Sequence, residues 1–518
     1  MYLTQPLHKA NRERPGHLAL VCGERRQSFG ELYGKVRSVA GMLQEIGVAP
    51  GDRVGMLGMN SDYYIEYLYG TWWAGAVVNP VNIRWSAREV AYSMDDCDTR
   101  VLLVDDTFVE LAREVCGLSR SLRTLVYVGT AAAPEGMLDY RALVAAARPV
   151  HDAMRQGDEL AAVMYTGGTT GLPKGVMLTH GNLYAGQLGA ISGAARPDNA
   201  IGLHAAPMFH VGGIGLVLQL MLRLCPQIVL PGFDEVAILQ AFHTERASET
   251  FLVPTMLKRV IEHPRFGEFD ISSLALVLYG AAPIDEALLE RAMQALPQAG
   301  FIQLYGMTEL SPVITALPAW CHEPEHRSSG KLRSAGRPTP VAEVRIVDAD
   351  DLELPVGQVG EIAARGPMVM AGYWNKPEQT AEALRNGWMH TGDGGYMDAD
   401  GFIHVVDRIK DMIVTGGENV YSAEVENAIL RMPEVSMCAV VGVPHEKWGE
   451  SVHAVVILRE GASLTSEQVI EHCRTLIAGY KCPRSIDFRE TLPISAAGKI
   501  LKYQLREPFW KGRSRRIS

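Results

Sequence analysis

The sequence predicts an α/β protein with a large N-terminal domain of layered sheets, which carries a β-rich subdomain, and a small α+β C-terminal domain. Helical and strand patterns alternate over most of the 518 residues, as in layered folds with largely parallel sheets. After about residue 335, apolar and polar residues alternate along short segments, which is typical of half-buried antiparallel strands. A charged segment, 407–411, then precedes a compact final stretch.

The first elements follow from local signals. Apolar residues recur every three or four positions between Leu32 and Ile46, which predicts one face of a helix. Ser28 and Glu31 form a capping-box pattern at its start, and Gly47 ends it. Short apolar runs predict strands at 53–58, 101–104, 125–128, 160–165, 227–230 and 274–279.

The C-terminal part has a different texture. The alternating segments 341–347 and 359–364 predict antiparallel strands. Beyond the charged segment, the pattern predicts helices at 423–432 and 466–477 and strands at 435–443 and 452–458. We therefore predict an N-terminal domain over 1–407, a hinge at 408–411 and a small C-terminal domain over 412–518.

Composition excludes several classes of protein. The formal net charge of −10 argues against a nucleic-acid partner, because such proteins usually carry a basic face. Eight cysteines without a CxxC pair predict reduced thiols in a cytoplasmic protein, and the N-terminus lacks a signal-peptide pattern. The most apolar stretch, 214–230, is interrupted by Gln219, Arg223 and Pro226. We therefore expect no integral membrane segment, and interpret this stretch as a buried helix that leads into a strand.

A glycine- and threonine-rich segment, 165–175, follows the strand predicted at 160–165 and precedes a helix expected to start near Thr179. Its glycines permit tight turns that point backbone N–H groups at an anion, and Lys174 adds a positive charge. Such a loop suits a triphosphate, although its spacing is not that of a Walker A loop. The alternative for the loop in isolation is a flexible turn.

Four further segments carry polar chemistry, and each has a plain alternative when taken alone. The segment 305–309 ends in Glu309 beside a hydroxyl, which is a fair ligand set for Mg²⁺ but also a common helix start. Asp393 at a turn could accept both hydroxyls of a ribose, or could simply be a turn aspartate. The segment 416–419 could be a surface turn, and Lys499 could be a solvated lysine.

In this order and at these intervals, the five segments resemble the adenylate-forming superfamily of acyl-CoA synthetases, adenylation domains and luciferases. The resemblance extends from Ser28 to about Leu505, and the loop that ends in Pro173, Lys174 and Gly175 is its most specific part. Two departures are visible, because Gly167 stands where serine is frequent and the stretch before Gly498 lacks a basic residue.

The resemblance implies a nucleotide site made from these segments. It assigns the β- and γ-phosphates of ATP to Thr166, Gly167, Gly168, Thr169, Thr170, Gly171 and Lys174. It assigns adenine and neighbouring contacts to Gly280, Ala281, Ala282, Tyr305, Gly306, Met307 and Thr308, and the ribose to Asp393 and Arg408.

The resemblance also implies the reaction. A carboxylic acid and ATP would form an acyl-adenylate and pyrophosphate, and coenzyme A would then displace AMP. The implied catalytic residues are Lys499, which bridges the acid and the α-phosphate, together with Glu309, His210 and Thr166, while Glu309 and Thr169 would bind Mg²⁺. In the family the small domain rotates between the two steps, with Lys410 at the hinge and Gly416, Gly417 and Glu418 along the path of coenzyme A.

The acid is left open. The resemblance places an acyl pocket at His210, Val211, Gly212, Gly213 and Met307, where three glycines within 211–218 would leave room for a chain or a ring. The alternative for His210 is a packed core histidine. Medium- or long-chain fatty acids and aryl or cinnamic acids both fit, and the pattern is similar to fatty-acyl- and feruloyl-CoA synthetases.

Other functions and partners stay open at this point. The chain could load acyl groups onto a carrier protein, act as a luciferase-like oxygenase, or bind acyl nucleotides without turnover. A homodimer is possible from the family. A basic tail could make weak contact with anionic lipid, although a solvated terminus is the simpler interpretation, and its charges are Lys511, Arg513, Arg515 and Arg516.

Overall fold

The computed structural model describes residues 1–166, 172–416, 418–494 and 500–511. Its internal contacts divide the chain into two compact units. The first unit comprises Met1–Ala281, Ala292–Val344 and Ala364–Met389, and the second comprises Ala282–Arg291, Arg345–Ala363 and His390–Ser518.

The helices alternate with strands through the first unit and become sparse in the second. In chain order they are α1 (Gln5–Glu13), α2 (Phe29–Glu45), α3 (Asp62–Trp73), α4 (Ala87–Asp96), α5 (Val109–Leu118), α6 (Tyr140–Ala146), α7 (His180–Ser192), α8 (Val211–Leu222), α9 (Glu235–Thr244), α10 (Pro254–Ile261), α11 (Glu286–Ala295), α12 (Pro377–Ala383), α13 (Ser422–Ile429), α14 (Ser466–Leu476) and α15 (Lys502–Trp510).

The strands are mostly short. In chain order they are β1 (Leu18–Cys22), β2 (Arg25–Ser28), β3 (Arg53–Leu57), β4 (Val77–Pro80), β5 (Val101–Val104), β6 (Thr124–Tyr127), β7 (Leu138–Asp139), β8 (Leu160–Thr166), β9 (Lys174–Thr179), β10 (Gly202–His204), β11 (Gln227–Val229), β12 (Glu249–Leu252), β13 (Leu276–Gly280), β14 (Gly300–Tyr305), β15 (Thr315–Leu317), β16 (Arg337–Pro338), β17 (Glu343–Val347), β18 (Gly360–Arg365), β19 (Gly372–Tyr373), β20 (Met389–Met397), β21 (Ile403–Arg408), β22 (Ile413–Thr415), β23 (Glu418–Val420), β24 (Val435–His445), β25 (Gly449–Leu458) and β26 (Ser485–Phe488).

Two large sheets organise the first unit. A nine-stranded sheet has the order β16-β15-β14-β13-β12-β10-β11-β1-β2, and an eight-stranded sheet has the order β19-β9-β8-β4-β3-β5-β6-β7. Their central pairs are parallel, and antiparallel pairs are confined to the margins, such as β8 with β9 and β14 with β15. The predicted α/β class with largely parallel sheets is confirmed.

The second unit contains two sheets in which antiparallel pairs predominate, and β26 is parallel to β25. Strands β17, β18, β20 and β21 form a four-stranded sheet, and β22 to β26 form a five-stranded sheet in which the long pair β24 and β25 is central. One core joins the latter sheet to α13 and α14 and includes Ile413, Val425, Ile429, Val440 and Val469. The predicted small α+β domain matches this arrangement.

Local signals placed most elements within a few residues. Ser28 and Glu31 form the predicted capping box at the start of α2, and Thr179 caps α7. The stretch 214–230 contains α8 and then β11, as predicted. Within the described part of the chain, no helix combines the length and apolarity needed to cross a membrane.

The neighbourhood of the glycine-rich loop differs from the prediction. The helix predicted to start near Thr179 is α7, but a strand that the sequence pattern does not predict, β9, lies between the loop and this helix. The apolar run in this strand is short, at Val176, Met177 and Leu178. The strand is stabilised by its pairing with β8 on one side and with β19 on the other. The predicted hinge and domain boundaries stay predictions.

Candidate active site

The glycine-rich loop connects the two strands of a hairpin. Strands β8 and β9 are antiparallel, with Thr166 opposite Lys174 and Tyr165 opposite Gly175. The predicted phosphate ligands Thr166 and Lys174 therefore flank the loop as a register pair. The remaining predicted ligands, Gly167, Gly168, Thr169, Thr170 and Gly171, lie outside the described residues.

A polar cluster fixes the base of this hairpin. The Tyr165 hydroxyl donates a hydrogen bond to the Asp96 carboxylate at 2.7 Å, and the Trp374 indole N–H donates to the Asp96 carbonyl at 2.9 Å. Burial, reinforced by Cys97 and Asp96, raises the pKa of the Tyr165 hydroxyl, so this group remains a donor at physiological pH. The arrangement holds the hairpin without using Lys174.

The predicted adenine segment and the segment 305–309 start at neighbouring strand ends. Strands β13 and β14 are parallel, and Gly280 pairs with Leu304, so both strands end side by side. A Cβ at Gly306 would lie 2.0 Å from the Pro312 carbonyl oxygen, and its φ of +158° also favours glycine. The backbone at this position therefore requires glycine, and its conformation sets the positions of Tyr305 and Met307 on either side.

Glu309 and Lys174 are connected through a tyrosine. The Tyr373 hydroxyl donates a hydrogen bond to Glu309 Oε1 at 2.9 Å, and the Lys174 ammonium lies 4.9 Å from the centre of the Tyr373 ring. Glu309 is 6% exposed and Tyr373 8% exposed. A buried carboxylate and a lysine thus lie on either side of one aromatic residue, which sequence reasoning missed.

The predicted acyl-pocket residues lie at the start of α8. His210 precedes the helix, and its ring lies 4.4 Å from that of Phe209. A Cβ at Gly212 would make ordinary contact with the Phe251 ring at 3.5 Å, whereas one at Gly213 would lie 2.2 Å from the Pro207 carbonyl oxygen. Gly213 is therefore explained by packing, because the space beside it is already filled, and of these two glycines Gly212 alone has room beside it.

In the second unit, the predicted ribose residues face each other across a strand pair. Asp393 on β20 pairs with Arg408 on β21, and Arg408 Nε lies 2.6 Å from Asp393 Oδ1. The turn is held from behind because Thr391 Oγ1 donates to the Ile362 carbonyl and the Gly392 N–H donates to Glu361.

The segment after Arg408 is also anchored within the second unit. Arg506 donates a hydrogen bond to the Lys410 carbonyl at 3.0 Å and approaches Asp411 at 3.3 Å. Burial, together with the positive charge of Arg408, lowers the pKa of Lys410. Asp407 accepts hydrogen bonds from the backbone and hydroxyl of Ser422, the first residue of α13.

The predicted coenzyme A path begins at a strand end. Gly416 follows β22, Glu418 starts β23, and these two strands are paired, while Gly417 lies outside the described residues. The Gly416 N–H donates to the Trp448 carbonyl at 2.9 Å, and the Arg484 guanidinium stacks 3.6 Å from the centre of the Trp448 ring. Lys499 also lies outside the described residues, although the bridge between Ile494 and Ile500 closes the base of its loop.

Comparison with known proteins decides the family. A family model described as AMP-binding enzyme matches residues 7–374, and a model described as AMP-binding enzyme C-terminal domain matches residues 424–499. The chain belongs to the AMP-binding enzyme family. The predicted membership of the adenylate-forming superfamily is thereby confirmed.

Relatives of this AMP-binding enzyme cover nearly its whole length. It is 39% identical over 505 residues to feruloyl-CoA synthase of Amycolatopsis sp, covering 97% of this chain and 98% of that one. It is 35% identical over 505 residues to the fatty acid–[acyl-carrier-protein] ligase ScoC of Streptomyces coeruleorubidus, covering 96% and 95%. A crystal structure of o-succinylbenzoate CoA synthetase from Bacillus subtilis, in complex with its acyl-adenylate intermediate, matches with a TM-score of 0.85 and 28% identity over 96% of this chain and 97% of that one.

The predicted class of enzyme, an AMP-forming acyl-CoA synthetase, is confirmed by these relatives, and ATP and coenzyme A follow from it as substrates. The individual roles of the AMP-binding enzyme's site residues stay predictions. Tyr373 carries no local signal in the sequence, because its partner Glu309 lies 64 residues away along the chain.

Proposed function

We propose that this AMP-binding enzyme ligates an aryl acid of the cinnamic type to coenzyme A, using ATP. The observation that carries the choice of acid is the 39% identity to feruloyl-CoA synthase over almost the full length of both chains. The room beside Gly212, with Phe251 as its neighbour, would suit a planar ring better than the crowded backbone at Gly213.

The first step joins the acid to the α-phosphate. A carboxylate oxygen attacks the α-phosphorus of ATP, the bond from this phosphorus to the bridging oxygen breaks, and pyrophosphate leaves. Negative charge accumulates on the phosphoryl oxygens, so fixed cations lower the barrier. We assign Lys174 to the β- and γ-phosphates, Lys499 to the α-phosphate and the acid, and the strand ends at Gly280 and Tyr305 to adenine.

Magnesium fits the chemistry of Glu309. Its carboxylate is buried, its Oε1 accepts the Tyr373 hydroxyl, and no lysine or arginine of the described residues forms a salt bridge with it. A carboxylate oxygen is a preferred Mg²⁺ ligand. Glu309 would hold the ion, with Thr169 as a further predicted ligand. When bound, Mg²⁺ neutralises charge on the phosphates and on the departing pyrophosphate.

The nucleotide's ribose is assigned to the second unit. Asp393 is well placed for this role because Arg408 and the held turn of β20 restrict its side chain. A carboxylate oriented in this way can accept both ribose hydroxyls.

The second step transfers the acyl group. The coenzyme A thiolate attacks the acyl carbon, the bond from that carbon to the AMP oxygen breaks, and AMP leaves with the electron pair. We assign Gly416, Gly417 and Glu418 to the thiol's path, and propose that rotation about Lys410 exchanges the Lys499 loop for this path between steps.

The first experiment measures pyrophosphate release with ATP, Mg²⁺ and coenzyme A against straight-chain fatty, benzoic and cinnamic acids. We expect hydroxylated or methoxylated cinnamic acids to react fastest. A clear optimum for fatty acids would overturn the choice of acid and leave the ligase assignment standing. No release with any of these acids would overturn the choice of a cinnamic acid and point to an acid outside the panel, to a carrier-protein acceptor or to binding without turnover.

Lys499→Ala separates the two half-reactions. We expect the rate of adenylate formation, measured by ATP–pyrophosphate exchange, to fall about 10²–10³-fold. The reason is the loss of a fixed cation where negative charge develops. Conversion of supplied acyl-adenylate and coenzyme A to thioester should be retained. If both half-reactions fell together, Lys499 would not be specific to the first step and the alternating arrangement would be wrong.

A second candidate function is acyl transfer to a carrier protein, and it is favoured by the 35% identity to ScoC. It differs only in the acceptor. Thioester formation should therefore be compared with free coenzyme A and with a phosphopantetheinylated carrier protein at equal concentrations. Faster transfer to the carrier would replace coenzyme A in the proposal.

Three further expectations accompany the proposal. We expect a cytoplasmic protein, in keeping with eight cysteines that form no disulfide. A homodimer and a weak contact of the basic tail with anionic lipid stay predictions, which size-exclusion chromatography with light scattering and vesicle sedimentation would check.

A further inference from the structure

Tyr373 is held rigidly at the edge of the eight-stranded sheet. Its strand β19 pairs with β9, with Tyr373 opposite Val176. The Tyr373 N–H donates to Thr380 Oγ1 at 2.9 Å, and the N–H of the next residue, Trp374, donates to the Gly175 carbonyl at 2.7 Å. The backbone that carries the Tyr373 ring is therefore held in place, in part by β9, the strand that begins with Lys174.

Two charged side chains use different parts of this ring. The hydroxyl donates to Glu309 Oε1, and the ring face lies 4.9 Å from the Lys174 ammonium. The backbone of Glu309 is fixed as well, since the Met370 N–H donates to its carbonyl at 2.9 Å. An aromatic face attracts a cation and a phenol donates to a carboxylate, so each contact holds its partner's side chain in place.

The tyrosine also separates the two charges. Lys174 and Glu309 form no salt bridge with each other in the described part of the chain, although both contact Tyr373. A direct ion pair would spend both charges internally, and it would have to break before a phosphate or a metal ion could bind. With Tyr373 between them, both charges keep a defined place and remain available to a ligand.

We propose that Tyr373 is a positioning residue that orients Glu309 for Mg²⁺ and Lys174 for the phosphates of ATP. This inference rests on the proposed function. A residue that only packs would contribute through its ring. A positioning role predicts that the Tyr373 hydroxyl also affects the affinity for Mg²⁺.

The test is Tyr373→Phe, which removes the hydroxyl and keeps the ring beneath Lys174. Outer hydrogen bonds to metal ligands typically contribute 10–100-fold in affinity, so the half-saturating Mg²⁺ concentration for ATP–pyrophosphate exchange should rise about tenfold. Calorimetric titration of a non-hydrolysable ATP analogue should show the same loss at limiting Mg²⁺. Conversion of supplied acyl-adenylate to thioester, which forms no new bond to the β- and γ-phosphates, should be unchanged.

Tyr373→Leu examines the ring. It also removes the aromatic face from Lys174, and a cation–π contact contributes about 0.5–2 kcal/mol, so affinity for the ATP analogue without Mg²⁺ should fall severalfold. Tyr373→Phe should leave that Mg²⁺-free affinity unchanged. The two variants therefore separate the hydroxyl from the ring.

Tyr140→Phe is the matched control. The Tyr140 hydroxyl also donates to a glutamate, Glu66, at 2.7 Å, and the residue is fully buried in the same unit. Loss of the Tyr140 hydroxyl should leave the half-saturating Mg²⁺ concentration for ATP–pyrophosphate exchange unchanged. If Tyr373→Phe has the wild-type half-saturating Mg²⁺ concentration, the inference is wrong. If the wild-type protein itself binds the ATP analogue no better with Mg²⁺ than without it, the proposed function fails instead.

Discussion

Two glutamates in the first unit accept a hydrogen bond from a tyrosine hydroxyl, and they differ in everything else around them. Tyr140 donates to Glu66 at 2.7 Å, and Tyr373 donates to Glu309 at 2.9 Å. At Glu66 the other carboxylate oxygen accepts from the Gln27 amide at 2.8 Å. At Glu309 the tyrosine also carries a lysine on its ring.

The two carboxylates differ in how many of their oxygens accept hydrogen bonds from other side chains. Burial raises the pKa of Glu66 to about 7, and the hydrogen bonds from Tyr140 and Gln27 oppose that shift only in part. Both of its oxygens are engaged and no ligand is needed to complete it. Glu309 uses Oε1 for Tyr373, and in the described part of the chain no side chain donates to Oε2. An arrangement of this kind is suited to a cation that arrives with its substrate.

The second unit contains a glutamate, Glu426, whose charge is paired internally and whose side chain is 16% exposed. Lys502 lies 2.8 Å from Glu426 and donates to the Ser422 hydroxyl, which in turn donates to Asp407. The Val440 N–H donates to Glu426 Oε1 at 2.7 Å. Burial alone would lower the pKa of Lys502, but the attraction of Glu426 and Asp407 outweighs it and raises that pKa. This cluster is therefore expected to stabilise the unit and to bind nothing.

The largest expected effect tests that contrast. Lys502→Met leaves Glu426 and Asp407 without their cation. Loss of one partner from a fully buried pair typically costs about 3–5 kcal/mol, and the two side chains of this pair are 16% exposed, so we expect about 3 kcal/mol of local stability to be lost. Hydrogen–deuterium exchange of the amides in β24 and β25 would report it, because those strands lie within this unit.

Lys481→Met is the matched control for Lys502→Met. Lys481 also pairs with a glutamate, Glu424, at 2.7 Å in the same unit, but these side chains are 21% and 37% exposed. More exposed pairs contribute about 0–1 kcal/mol, so exchange should change little. Adding Glu426→Gln to Lys502→Met should restore part of the protection. Equal exchange in both single variants would show that the buried cluster has no special role.

These clusters mark where sequence reasoning succeeded and where it could not. Caps and strand runs are local, so the box at Ser28 and the helix start at Thr179 were predictable from residues three positions apart. Glu309 and Lys174 are predicted site residues because each lies in a short motif, and their roles stay predictions. Tyr373 lies 64 residues from Glu309, and an aromatic residue at an apolar strand resembles an ordinary core residue until the sheet places it.

The same reason explains the missed strand and the filled space beside Gly213. Strand β9 depends on partners at both sides, and one of them, β19, follows far along the chain. Gly213 looked like open space in the sequence, but a preceding turn returns the Pro207 carbonyl to within 2.2 Å of where its Cβ would lie. Neither the pairing of β9 nor the contact between Pro207 and Gly213 is visible in local composition or periodicity.

The next effect concerns Glu66 and pH. Its folded-state pKa of about 7 lies above the ordinary value, so the folded protein holds a proton there that the unfolded chain releases. The stability that Glu66 contributes is fully present below the unfolded-state pKa and is lost as pH rises through about 7. Glu66→Gln removes this dependence. Its unfolding free energy relative to wild type should therefore increase by about 2.5 kcal/mol from pH 5 to pH 8, at 1.36 kcal/mol per pKa unit.

Urea unfolding of wild type and Glu66→Gln at the two pH values measures that difference, in which all other titrating groups cancel. Tyr140→Phe provides the control, since it keeps the ionisable group and removes a hydrogen bond that opposes the rise in the pKa of Glu66, so its pH dependence should be at least as large as that of wild type. A constant difference between Glu66→Gln and wild type across pH would show that Glu66 is charged in the folded protein, and would remove the contrast with Glu309.

The smallest effect on stability, and the most specific for function, is expected for Glu309→Gln. The amide keeps the shape of the side chain, and its oxygen can still accept from Tyr373, so the fold should tolerate it. The negative charge is lost, however, and hard cations bind amide oxygens less well than carboxylates. We expect the half-saturating Mg²⁺ concentration for ATP–pyrophosphate exchange to rise about 100-fold, or about 2.8 kcal/mol at 1.4 kcal/mol per factor of ten. Glu66→Gln should show wild-type Mg²⁺ dependence in the same assay, because its carboxylate is already satisfied by protein donors. If the two glutamine variants responded alike to Mg²⁺, the tyrosine–glutamate pair at Glu309 would be one more structural contact and the metal would have to be held elsewhere.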